Sequence, residues 1–306
     1  MRIITFDEIP NHYEFMKLMH AAFGWAESAE RTARWRRYDV RYKHPYGFAL
    51  EWGTRLLGFV GTIDLPVRIR EGKTETVGGI HSVATDPDCS RSGVATRLLE
   101  HAHDYFRRQG YRYSLLCTSR SLVAHALYKR LGYSEIAVLA RFPRAYRSYP
   151  EKKKRERKSK KRGRLDSVRI MRIFDQALAG YTGCAVRPKN WPQVWLRNRE
   201  VKPENVIVLD DGYAFTNSWG GTMFVDEIVA LNRAAYVGLL ERLRKRGKSA
   251  IVVTHVWNPA LQQILKAKGY SLFYGRYGVR MAKPLTAAAF EPAFGERFCF
   301  SPLDAF

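Results

Sequence analysis

The chain has 306 residues, about twice the commonest size of a single domain, so two domains are expected. It is 46% hydrophobic and 13% aromatic, which supplies enough apolar surface for buried cores and excludes a wholly disordered protein. A formal charge of +23 favours polyanionic partners without specifying nucleic acid, anionic lipid or a phosphorylated cofactor.

No apolar run approaches the ~20 residues of a membrane span, and Met1-Arg2-Ile3-Ile4-Thr5-Phe6-Asp7 does not read as a secretory leader. No membrane partner is expected. Cys89, Cys117, Cys184 and Cys299 lie far apart without metal-ligand spacing, so neither a disulfide scaffold nor a metal site is expected. A reducing, cytoplasmic setting fits these features.

In chain order, Phe48–Trp52 and Leu56–Ile63 read as strands joined by a glycine-containing turn, and a further strand runs through Ile80–Thr85. Gly93–Gln109 carries apolar residues at helical spacing, with Gly110 placed to close the helix. The strand Tyr113–Cys117 follows, then a helix with Ser121 at its start and Gly132 just past its end.

The run 151–164 holds ten basic and two acidic residues and nothing apolar, so it does not pack into a core. Two readings stay open: a solvated linker, or a strip that binds polyanions through phosphate contacts. Strands follow at Asn205–Leu209, Gly212–Thr216 and Met223–Val229, then a helix through Arg233–Arg246 closed by Gly247. A strand at Ala250–Thr254 leads to a helix announced by Asn258-Pro259 and closed at Gly269-Tyr270. The interval from Gly110 to Gly132 equals that from Gly247 to Gly269, and both glycine pairs are offset by 137 residues. Equal spacing of one strand–helix unit argues for two tandem copies of an α/β fold.

Ile80–Leu99 carries the most chemistry. A strand ends at Thr85, a polar loop follows Pro87, and Gly93 opens a helix. Ser90, Ser92, Gly93, Ala95 and Thr96 are small enough for a ligand to approach the backbone, and Arg91 adds positive charge. Unpaired first-turn N–H groups and the helix dipole favour an anion there. On the residues alone, both a pyrophosphate cradle and an ordinary strand–loop–helix connection remain open.

Together with Ser121–Tyr133, this stretch resembles the two signature motifs of the GNAT acyltransferases, the Gcn5-related N-acetyltransferase superfamily. Thr85-Asp-Pro87 and Ser90-Arg-Ser-Gly93-Val-Ala95 are similar to its acyl-CoA loop. Ser121, Ala124, Tyr128, Gly132 and Tyr133 are similar to its second motif. The resemblance covers about residues 1–145. It departs at Ser90, where the family has Arg or Gln, and at Ser121, where it has Asn, and these changes imply weaker cofactor binding.

The resemblance implies acetyl-CoA as cosubstrate, with the backbone of Val83, Ala84 and Thr85 on the pantetheine and the loop Arg91, Ser92, Gly93, Val94, Ala95 and Thr96 on the pyrophosphate. It implies Tyr128 as the acid for the leaving thiolate, a task that suits a phenol protonated at neutral pH. Tyr128 reads equally, on the residues alone, as a core aromatic. Where many members carry a basic carboxylate this chain has Gly79, and His81, two residues on, shares that face of the strand. His81 is therefore expected either as the base or as a structural histidine. The resemblance sets the acceptor wall at Met19–Tyr38, which holds Trp25, Glu27, Glu30 and Trp35 but also Arg31, Arg34, Arg36 and Arg37.

In the second copy Leu265 stands where Tyr128 does, and Asp226–Ala230, with two acids and no glycine, falls near the phosphate loop. Carboxylates there repel a pyrophosphate. The expectation is thus an α/β protein of tandem GNAT-like domains, each a mixed sheet flanked by helices. Residues 1–150 form the cofactor-binding domain, 151–165 a basic linker, 166–285 a degenerate copy and 286–306 a tail. The expected activity is acetyl transfer to an unidentified primary amine. The alternative is a basic RNA- or ribosome-contacting protein with a vestigial or sensing CoA site, and residues 152–164 as its polyanion contact.

Overall fold

The computed structural model describes residues 1–42, 45–146, 165–198, 200–246, 248–274, 278–287, 294, 297–299 and 301. The basic run, Gly247 and most of the expected tail lie outside the described residues. The first elements are β1 (Arg2–Thr5), α1 (His12–Phe23), α2 (Ala29–Tyr38), β2 (Gly47–Trp52), β3 (Arg55–Arg68) and β4 (Thr74–Thr85). After these come α3 (Val94–Arg108), β5 (Tyr113–Thr118), α4 (Val123–Arg130), β6 (Ser134–Val138) and β7 (Ala140–Ala145). Then come α5 (Ser167–Ala177), α6 (Trp191–Gln193), β8 (Val206–Leu209), β9 (Gly212–Trp219) and β10 (Thr222–Ala230). The chain continues through α7 (Arg233–Lys245), β11 (Ala250–Val256), α8 (Pro259–Ala267) and β12 (Val279–Pro284). Among the described residues no helix is long and apolar enough to cross a membrane.

Local chemistry explains the helix ends. Asn11 Oδ1 accepts from Tyr13 N to open α1, and Gly24, at φ +75°, closes it. Ser28 accepts from Arg31 N at the start of α2, and Asn258 accepts from Leu261 N at the start of α8. Gly110, Gly132 and Gly269 all take the left-handed conformation just past their helices.

Two mixed sheets result, in the orders β1-β2-β3-β4-β5-β12-β6 and β7-β11-β10-β9-β8. The chain divides into two compact units, the first taking Met1–Ala137 together with β12 and the second taking Val138–Gly278. This is not the linear division drawn at residues 150 and 165. β7 precedes the basic run yet pairs antiparallel with β11 in the second sheet. β12 follows α8 yet pairs antiparallel with β5 in the first. Each sheet therefore receives the strand beside its central parallel pair from the other half of the sequence.

The first core lies on the α3 face of the first sheet. Leu98, Leu99, Ala102 and Phe106 pack there with Val60, Ile80, Leu116 and Met281. Each large apolar side chain buried in this way contributes about 1.5–3 kcal/mol. The second sheet carries a core on each face, one around Leu239, Leu243 and Leu265, the other around Phe174, Trp191 and Trp195.

Candidate active site

The first unit's opening arises where two parallel strands separate. β4 and β5 pair at Gly78↔Ser114, Gly79↔Leu115 and Ile80↔Leu116, and no pairing is recorded between them beyond Ile80. Both strands continue, β4 to Thr85 and β5 to Thr118. On its other side β4 stays bound to β3, with a bulge where Ser82 and Val83 face one residue between Gly61↔His81 and Phe59↔Ala84. Ser82 takes φ +47° to make it. The edge of Val83, Ala84 and Thr85 is thereby turned out of the parallel ladder with β5.

Beyond the strand end, Asp86 accepts from Asp88 N to turn the loop, and Arg55 binds both Asp86 and Asp88. Ser90, Arg91, Ser92 and Gly93 are exposed. Arg91 and Gly93 both lie in the left-handed region, at φ +63° and +84°. Gly93 is the N-cap of α3, without a side chain to cap it, and a Cβ there would meet nothing within 4 Å. The first-turn amides at Val94, Ala95 and Thr96 follow this uncapped position, with the dipole of a 15-residue helix behind them. Arg91 adds an exposed positive charge to this loop. These residues fit a pyrophosphate.

α4 starts at Val123, two residues after Ser121. Ser121 is exposed, with its hydroxyl 2.9 Å from that of Ser119, and Ala124 is partly buried. Tyr128 is 6% exposed and packs edge-on to Tyr133, ring centres 5.9 Å apart. Tyr133 Oη lies 2.7 Å from Ser114 Oγ and 2.8 Å from His103 Nε2.

The opposite face of the sheet carries His81. A Cβ at Gly79 would come within 2.5 Å of Ile63, so no carboxylate fits at that position. His81 Nδ1 lies 3.1 Å from Ser82 Oγ, and the imidazole lies over Gly61, where any side chain would collide with it. Tyr42 and Tyr46 meet it edge-on, at 5.6 and 5.4 Å between ring centres. Cys117 on β5 and its ladder partner Arg280 on β12 share this face through the register with Gly79. Burial pushes the Cys117 thiol up, with Arg280 opposing the shift.

Sequence reading missed three features of this site. Glu27, one of two acids in the expected acceptor wall, is buried at 2% exposure in the connection between α1 and α2, which its residue type does not foretell. The bulge at Ser82 leaves no signature in residue type. Arg280 reaches the first unit through β12, whose alternation Val279-Arg-Met-Ala-Lys marks a strand but not its sheet. Among the described residues no group of three or more His, Cys, Asp or Glu is arranged to hold a metal ion.

The family model of the acetyltransferase (GNAT) family matches residues 12–133, which span the bulged strand, the loop and both helices of this site. Over those residues the N-terminal unit is similar to a GNAT domain. Solved structures extend the likeness to nearly the whole chain, at identities that speak for fold alone. A GCN5-related N-acetyltransferase from Kribbella flavida aligns at TM-score 0.67 and 17% identity, over 92% of this chain and 70% of its own. Eis1 from Mycobacterium abscessus aligns at 0.62 and 16%, over 93% and 74%. A putative acetyltransferase from Pyrococcus horikoshii aligns at 0.59 and 13%, over 100% and 95%. No curated protein matches the sequence.

In the second unit the corresponding place is built differently. β10 and β11 pair in parallel from Thr222↔Ala250 to Val225↔Val253 and then part, as β4 and β5 do in the GNAT domain. The gap is filled. Thr254 Oγ1 donates to Val225 O at 3.0 Å, and the cavity left among Asp226, Glu227, His255 and Trp257 is about 10 Å³. Asp226–Ala230 belongs to β10 itself rather than to a loop, and only Leu231 and Asn232 connect it to α7. Asn232 Oδ1 accepts from Ala235 N, so a side chain already occupies the helix start that Gly93 leaves open. Leu265 is fully buried in α8. Glu227 is held by Arg187 at 2.6 and 3.1 Å and by the Tyr213 hydroxyl at 2.7 Å.

Proposed function

We propose that this chain transfers an acetyl group from acetyl-CoA directly to a primary amine, using one site in its GNAT domain. The observation that carries the reading is the pairing of a strand edge released from β5 with an uncapped helix start at Gly93. Val83, Ala84 and Thr85 would bind pantetheine through their backbone, and Ser90, Arg91, Ser92, Gly93, Val94, Ala95 and Thr96 the pyrophosphate, with Ser121 and Ala124 bordering the groove.

The amine nitrogen forms a C–N bond to the thioester carbonyl carbon as the C–S bond breaks. His81 takes the proton the amine must lose, and Tyr128 gives its hydroxyl proton to the leaving sulfur. Solvent then returns a proton to Tyr128 and removes one from His81. The second unit, with its gap filled and its helix start capped, is read as a GNAT-like copy without a cofactor site.

Calorimetry with acetyl-CoA, followed by an amine screen that detects released CoA, tests the proposal. Binding and CoA release dependent on an amine are expected. No acetyl-CoA binding together with salt-dependent retention on RNA would instead favour the basic RNA- or ribosome-contacting reading, which rests on the charge of residues 151–164.

A further inference from the structure

Glu27 is a buried acid in a strongly basic chain. The hydroxyls of Thr32 and Tyr46 both donate to its Oε1, each at 3.3 Å. His12 Nε2 lies 2.9 Å from its backbone oxygen and ties the α1–α2 connection in place. Burial raises its carboxyl above the usual range, while Arg31, Tyr46, Thr32 and His12 hold it down. The ring of Tyr46 then meets His81 edge-on at 5.4 Å. One hydrogen bond and one ring contact thus join Glu27 to the imidazole.

The chemistry at His81 gives that connection a use. Uptake of a proton there creates an imidazolium in a protein of net charge +23, and one of its many cations, Arg280, lies on the same sheet face. These cations oppose the charge. Of the other groups at the ring, Tyr42, Tyr46 and Ser82 are neutral in their ordinary states, and Cys117 on the same sheet face is a thiol whose ionisation burial opposes. A buried carboxylate one residue removed offsets part of the opposition, because charge is poorly screened away from water.

We propose that Glu27 is a positioning residue for His81, fixing the imidazole through Tyr46 and supplying the negative charge that lets it accept the proton of a cationic amine. The inference rests on the reading of His81 as base.

The test is the titration of the His81 ring protons by NMR in the ligand-free protein, with His81→Gln to assign the resonance. Glu27→Gln keeps an oxygen for both hydroxyls and removes the charge. The His81 midpoint is expected to fall by about one pH unit, tenfold in the protonation equilibrium. Tyr46→Phe keeps the ring but removes a donor that holds the carboxylate ionised, and is expected to move the midpoint the same way by less. Glu30→Gln, at an exposed acid three residues on in the first turn of α2, is the control and leaves it in place. An unmoved midpoint in both Glu27→Gln and Tyr46→Phe overturns the proposal, whatever the enzyme's activity. The base reading is tested separately by His81→Ala, which should abolish the acid limb of kcat/KM. A limb that survives removes His81 as base and leaves the titration result standing as a property of the fold.

Discussion

His103 Nε2 lies 2.8 Å from the hydroxyl of Tyr133 inside the GNAT domain, with α3 supplying one partner and the residue after Gly132 the other. Burial, with the Lys283 and Arg107 cations adding to it, pushes the imidazole down to about 3. An unfolded chain protonates the same group near 6.5. Between these pH values the unfolded state holds the extra proton, so stability is full above about 6.5 and is lost as pH falls toward 3. Thermal melts across that window should show a steeper acid-side loss in the wild-type protein than in His103→Gln. Parallel curves would remove His103 as the source.

Tyr128→Phe keeps the ring against Tyr133 and removes the proposed acid. General-acid help is worth roughly 10²–10⁴-fold, and a thiolate is already a fair leaving group, so a fall in kcat of about 10² is expected. Acetyl-CoA affinity and melting temperature should change little. Unchanged turnover, under conditions where chemistry limits the rate, would move the acid elsewhere.

Gly93→Ala probes the cradle. Its φ of +84° costs an L-residue about 1–2 kcal/mol, and the added methyl projects into the open space in front of α3. Calorimetry should show weakened acetyl-CoA binding beyond any loss of stability seen in denaturant. Full-strength binding would place the pyrophosphate away from this loop.

Binding stoichiometry tests the second unit. One acetyl-CoA per chain is expected, since Asn232 caps α7 and Thr254 bridges the gap between β10 and β11. A value of two would overturn this account of the second unit.

Glu227→Ala should destabilise the second unit by about 3–5 kcal/mol, because Arg187, whose side chain is fully buried, would keep its charge without a carboxylate. Chemical denaturation checks the loss. A change below about 1 kcal/mol would mean that the stacking of Arg187 on Phe174, at 3.6 Å, carries the guanidinium unaided.

Much of this protein is legible in its residues because the forces involved are local. Helix periodicity, capping by Asn258, and left-handed glycines after α3, α4 and α8 depend on neighbours within a few positions. The loop at Ser90–Gly93 is legible for the same reason, since a small, capless helix start is a property of the sequence around it. Strand exchange is not. β7, after β6, and β12 both come downstream of a helix–glycine–tyrosine ending, and nothing in their local pattern says which sheet each one joins. Long-range packing decides, by seating Val279 and Met281 in the first core and Ala140 and Phe142 in the second. The acceptor face was hidden likewise. Glu27 and Glu30 are both legible as acids, but only the folded chain withdraws Glu27 from water, with the Tyr46 hydroxyl on its carboxylate and the Tyr46 ring against His81.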